Sequence, residues 1–252
     1  MAWLETASPS FSARHHSASA REAAALLESL ELLRERLASL FARVPETVAV
    51  VLHESPASLA ASNPLLIARR RLSAPAARRY VAGWATGEEL HVLCARALAA
   101  RASRVEGSRE MLARTAAALY ARQVIELCNP DLPRRRLSPR RQRLELRWAW
   151  LLEGGARYFA GQVPHCGPAV ARRLREGPAP AFPPSARDAT LLGATVLDLL
   201  ARERGTRAAA ALTCRLHPEG PRAALADAFQ GRRLRDSEAA WRAHLARLAA
   251  GR

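Results

Sequence analysis

The β-branched and alternating apolar runs of this chain fall before about residue 105. Beyond that point the apolar residues recur almost entirely at helical spacing. A chain patterned this way does not interleave strands and helices evenly along its length. It is expected to fold as α+β, with its strands segregated toward the N-terminal end. Its 252 residues suffice to bury a full core. We therefore expect a single domain over 1-252, with a strand-containing part over 1-105 and a helical part over 106-252.

Local signals place the elements. SFSAR (Ser10 to Arg14) alternates and predicts a first strand. Ser19 and Glu22 make a capping box, and Leu26, Leu30, Leu33, Leu37 and Leu40 mark an amphipathic helix over Arg21 to Phe41. TVAVVL (Thr47 to Leu52) reads as a buried strand, followed by a short helix from Ser55 and irregular or broken helix over Ser62 to Ala76. YVAGW and ELHVL flank ATGE as a hairpin. Ser108 caps a helix reaching Cys128. A loop from Asn129 to Arg143 then holds Arg134, Arg135, Arg136, Arg140, Arg141 and Arg143, and a helix spans about Leu144 to Gly161. Further helices close the chain, the last capped by Asp236 or Ser237.

The formal charge is +16, and every one of the 39 basic residues is arginine. A bias toward GC-rich codons explains arginine in place of lysine but not the basic excess, which invites a polyanion partner. The four cysteines, Cys94, Cys128, Cys166 and Cys214, show no CxxC spacing and read as buried free thiols. MAWLETASPSFSARHH lacks the basic-then-apolar pattern of a leader, so a cytoplasmic location is the expectation. No stretch approaches the length of apolar sequence that would span a membrane.

The most informative segment is WAWLLEGGARYF, Trp148 to Phe159. On a helix Trp150, Glu153, Gly154, Arg157 and Tyr158 share one face. A carboxylate on an apolar-leaning face needs a cation, because burying it unpaired is costly. In zinc hydrolases that cation is the metal, bound by HExxH on one helix and by a third ligand from a later one.

WLLEGGARYF resembles the helix that carries the third zinc ligand in gluzincin, peptidase-MA-like metallopeptidases. PETVAVVLHESPASLAA resembles that family's second strand and following helix. AGWATGEELHVL resembles its strand pair before the active-site helix, and GRRLRDSEAAWRAHL resembles its C-terminal ending. The resemblance runs from about Phe11 to Leu248. It implies a zincin-like fold, a small N-terminal sheet with helices followed by a mostly helical part, with Glu153 at a zinc-ligand position. Where the family has HExxH, this chain has ALYAR, with Ala118 and Arg122 at the histidine positions and Leu119 at the glutamate position.

Other histidines offer no replacement set. His53-Glu54 begins an HExxH, but its fifth position is Ala57. His15 and His16 alternate across a strand, and His91 stands alone on one. His165 with Cys166 is the remaining candidate beside Glu153. If Arg122 faces Glu153, a guanidinium replaces the metal cation and pairs with the carboxylate. Otherwise Arg122 points to solvent and Glu153 pairs with Arg157 or another arginine. Tyr120, Trp150, Arg157 and Tyr158 are candidates to line the cleft.

The resemblance and its broken motif imply a catalytically inactive metallopeptidase-like protein, without zinc or another cofactor, acting as a scaffold or binding protein. Two alternatives stay open. One is an active zinc metallopeptidase with displaced ligands. The other is a basic protein whose arginine loop binds a polyanion or nucleic acid. A peptide, a protein or a polyanion at the basic rim is the partner class these readings allow.

Overall fold

Among the residues described by the computed structural model, 3–133 and 138–251, five strands form one mixed sheet. They are β1 (Trp3–Ala7), β2 (Phe11–His16), β3 (Val48–His53), β4 (Gly83–Ala85) and β5 (Glu89–Leu93), in the order β1-β2-β3-β5-β4. The central pairs β2/β3 and β3/β5 are parallel, and the outer pairs β1/β2 and β4/β5 are antiparallel. The helices before the loop are α1 (Ala20–Ala38), α2 (Pro56–Ser62), α3 (Leu65–Leu72), α4 (Ala95–Arg101), α5 (Ser108–Ala113) and α6 (Thr115–Cys128). After it come α7 (Pro139–Arg147), α8 (Ala149–Phe159), α9 (Gly167–Arg175), α10 (Ala194–Arg204), α11 (Thr206–Thr213), α12 (Pro221–Ala228) and α13 (Leu234–Ala249). The fold is α+β with its sheet at the N-terminal end.

The hydrophobic pattern explains the layering. The buried face of α1 is Ala23, Leu27, Leu30, Leu33 and Leu37, which packs with α6 over Phe11, Ala13, Val48, Val50, Leu52 and Leu90. The other face of the sheet meets α2 and α4, and a smaller cluster of Leu59, Leu66, Val81, Leu93, Cys94 and Ala97 fills that side. The main core runs on without a break into Trp150, Leu192, Leu200, Trp241 and Leu245, so the sheet and the late helices share it.

Several local expectations change. β1 and α4 are additional elements. The stretch over 62–76 holds a regular helix, α3. Ser19 does not cap α1: its hydroxyl donates to Glu54, while Glu22 accepts from the Ala95 amide. Ser108 lies inside α5, where its Oγ accepts from the Ser103 amide. The final helix starts at Leu234, before Asp236 and Ser237. Two long helices are each broken by one residue: Arg114 (φ −85, ψ 14) separates α5 from α6, and Trp148 (φ −107, ψ 15) separates α7 from α8. Apolar spacing continues across a one-residue break, so periodicity does not reveal it. α7 also begins at Pro139, with the Ser138 side chain accepting from the Arg141 amide. Arg140, Arg141 and Arg143 are therefore helical rather than in a loop, whereas Arg134, Arg135 and Arg136 lie outside the described residues.

Candidate functional site

α6 and α8 pack side by side, and α7 and the end of α3 close over them. The result is a cleft of about 650 Å³. Its apolar wall includes Leu72, Val81, Ala118, Leu119, Leu146 and Ala156. Its polar floor is a network of arginines and glutamates.

Glu153 projects from α8 and Arg122 from α6, and their side chains meet with Nη1 2.9 Å from Oε1. Arg69, from the last turn of α3, also pairs with Glu153. Arg122 serves more than one carboxylate. Its Nε donates to Glu126 Oε1 at 2.7 Å, and its Nη2 lies 3.5 Å from Glu145 Oε1. Arg141 completes the arrangement, with Nη2 2.7 Å from Glu126 Oε2 and Nε donating to Glu145 Oε1 at 2.7 Å. Arg122, Glu126, Arg141 and Glu145 thus form a closed ring, and Glu153 and Arg69 extend it. The six named groups balance in charge.

Burial acts against every charge in this network, and the neighbours decide the outcome. Desolvation pushes the Glu153 carboxyl upward, but Arg69, Arg122 and Arg157 outweigh it and hold it down to about 2. Desolvation likewise opposes the Arg122 charge, and Glu126, Glu153 and Glu145 overcome it, so its proton is held more tightly than in an ordinary guanidinium. Arg157 is shifted down to about 10 by burial, which Glu153 only partly offsets.

The structure divides the residues expected at the cleft. Ala118, Leu119, Arg122, Glu153 and Arg157 line it. Arg157 acts as a strut: it donates to the Tyr80 carbonyl at 3.0 Å and to Gln162 Oε1 at 2.8 Å. Tyr120, Trp150 and Tyr158 do not line it. Tyr120 and Trp150 are core residues, Tyr120 edge-on to Phe11 with its hydroxyl raised to about 12 by burial. Tyr158 packs on Phe159 and reaches Thr206 at 3.4 Å. Helical spacing put Trp150 and Tyr158 on the Glu153 face, but their side chains pack outside the cleft. His165 and Cys166 also lie outside the lining, and Cys166 is a buried thiol raised to about 12.

Sequence reasoning missed Arg69, Glu126, Glu145 and the role of Arg141. A signal for three of them was present: Arg122 with Glu126 and Arg141 with Glu145 are i,i+4 pairs. Arg69 carries no such signal, since only tertiary packing brings α3 near Glu153. His91 is not isolated. His53 Nε2 lies 3.1 Å from His91 Nδ1, and His91 stacks on Trp84 at 3.9 Å.

The donors beside Glu153 do not fit a zinc ion. Zinc takes imidazole, thiolate or carboxylate donors. Here the carboxylate faces two guanidiniums, and the side chains at 118 and 122 are a methyl group and an arginine. Among the described residues no group of three or more His, Cys, Asp or Glu is placed to hold a metal. No helix among them is long and apolar enough to cross a membrane. Comparison with family models, with curated proteins and with solved structures gives no match.

Proposed function

We propose that the chain is a metallopeptidase-like scaffold, related to the gluzincins in its plan, that binds a ligand in its cleft without cleaving it. The observation that carries this reading is the Arg122–Glu153 ion pair. Water activation for hydrolysis needs an open metal position and a general base within reach. At the corresponding end of this cleft the carboxylate is spent on guanidiniums, and Leu119 stands where a base would be. The ligand class that suits the lining is a protein or peptide segment. Its apolar side chains would meet Leu72, Leu119 and Leu146, and a carboxylate would pair with Arg187, which is exposed at the rim. An active enzyme with displaced ligands finds no support in the cleft lining, where histidine and cysteine do not occur among the described residues.

Two measurements test the reading. Elemental analysis of the purified chain should find far less than one zinc per molecule, with no chelator-sensitive peptide hydrolysis. Stoichiometric zinc with such hydrolysis overturns the inactive assignment. Restoring the motif by combining Ala118→His, Leu119→Glu and Arg122→His should create a site that retains about one zinc per chain on dialysis. Failure of the folded triple variant to retain zinc would refute the alignment on which the gluzincin relationship rests.

A further inference from the structure

We propose that a second pocket, on the opposite side of α7 from the cleft, binds a phosphate-bearing small ligand through Arg140, Arg143 and Arg215. α7 has two charged faces. Glu145 lines the cleft, and the buried Arg141 behind it pairs with Glu145 and Glu126. Arg140, Arg143, Leu144 and Arg147 fall on the other face and line a pocket of about 570 Å³, closed by the segment from Arg215 to Pro218. That is a volume suited to a compact ligand rather than to a flat macromolecular contact.

The charge on this face has no internal answer. Elsewhere the helices pair arginines with acids one turn away, as in Arg122 with Glu126, Arg172 with Glu176, Asp198 with Arg202, and Glu238 with Arg242. Four residues on from Arg143 stands Arg147, a like charge, and such i,i+4 pairs are destabilising on a helix. Among the described residues Arg140, Arg143 and Arg215 form no ion pair. Among the described residues the one carboxylate in the lining, Asp131, accepts from the Leu216 amide at 2.8 Å and so helps to fix the turn that carries Arg215. His217 is held in the same way, with Nε2 3.1 Å from Asp227 and Nδ1 accepting from the Glu219 amide. Arg147 donates weakly to the Glu219 carbonyl at 3.4 Å. The Arg215–Pro218 side of the pocket is therefore held by hydrogen bonds, and among the described residues three guanidiniums are left to meet an anion.

Phosphate is the chemistry that fits. Guanidinium forks match tetrahedral phosphoryl oxygens in bidentate fashion, and a di- or triphosphate supplies enough charge to meet several of them. The aromatic floor, Trp148, is buried and offers no open face for stacking a nucleobase, which disfavours single-stranded nucleic acid.

The test is calorimetric titration of the full chain with inorganic pyrophosphate, then with a nucleoside triphosphate and with duplex DNA. Pyrophosphate should bind at one site per chain. Arg143→Glu combined with Arg215→Glu should weaken that binding by about tenfold or more, with the melting transition retained. Arg207→Glu, an exposed arginine outside the pocket, should leave it unchanged. A nucleoside triphosphate binding at the same site, lost in the same double variant, identifies a nucleotide as the source of the phosphates. Absence of pyrophosphate binding overturns the proposal. So does equal weakening by Arg207→Glu, or binding of DNA alone, because either outcome assigns the effect to overall charge instead of the pocket.

Discussion

Replacing Arg122 by leucine would take a guanidinium away from three carboxylates at once. The pairs of Arg69 with Glu153 and of Arg141 with Glu126 and Glu145 would remain, and Glu153 is mostly buried. Breaking a buried ion pair by removing one partner costs about 3–5 kcal/mol, because the remaining charge stays desolvated. Urea denaturation of Arg122→Leu should register a loss of that size, and a loss under about 1 kcal/mol would show that the network contributes nothing. A second residue-scale effect lies on the far side of the sheet. Burial and the neighbouring His91 lower His53 from 6.5 to about 4. The unfolded chain takes up this proton near pH 6.5 and the folded chain only near 4. Stability therefore falls as pH drops through that window, by up to about 3 kcal/mol. Comparing wild type with His53→Gln at pH 7 and pH 4.5 checks this: the variant should lose markedly less, and identical losses would refute it. Glu153 acts lower still. Its contribution is intact above about 4.5 and is lost as pH falls toward 2.

At the scale of elements, the contact of α8 with the π-helical turn Ala189–Gly193 sets the depth of the core. A Cβ on Gly154 would lie 2.3 Å from the Gly193 carbonyl carbon, and one on Gly193 would lie 2.4 Å from the Trp150 carbonyl oxygen. Only two hydrogens fit between these backbones, so the glycines are there for close approach. Gly154→Ala should lower stability by about 3 kcal/mol or more, since backbone cannot move aside as a side chain can. Gly87→Ala, with open space around it, should stay within about 0.5 kcal/mol. Thermal melts of the two variants make the comparison, and equal melting temperatures would contradict the packing argument. α7 matters at this scale too. One short helix supplies a wall of the cleft and the unbalanced wall of the basic pocket, because residues 142, 145 and 146 line the first and residues 140, 143 and 147 the second.

At the scale of the whole molecule, the +16 charge is distributed unevenly. Some of the 39 arginines are neutralised internally, in the six-residue network of the cleft and in buried pairs such as Arg173 with Asp188, and add nothing to that net charge. Others are left on the outer face of α7. A count of arginines does not separate these populations, since Arg141 and Arg143 look alike in sequence and differ only in which face of one helix they occupy. The α+β organisation was legible because β-branched runs and leucine spacing are local signals, each strong enough to fix its own element. The facing of Arg122 toward Glu153 was one of two readings that the sequence left open, and the packing of α6 on α8 decides it. Element breaks at Arg114 and Trp148 were not, because a single residue in the bridge region leaves the apolar period intact.

By itself, then, the sequence determined the class of fold, the order of its main elements and the one carboxylate that needed a cation. Only the tertiary structure decided which cations answered it. Arg69 arrives from a segment more than eighty residues earlier, by tertiary packing that no local pattern encodes. Arg141 arrives by the rotation of a helix whose start lay within an apparent loop. The aromatics Tyr120, Trp150 and Tyr158 were withdrawn from the cleft by neighbours packed against them. Local sequence sets which face a side chain occupies on its own helix. What lies opposite that face depends on how distant elements are brought together to bury the shared core.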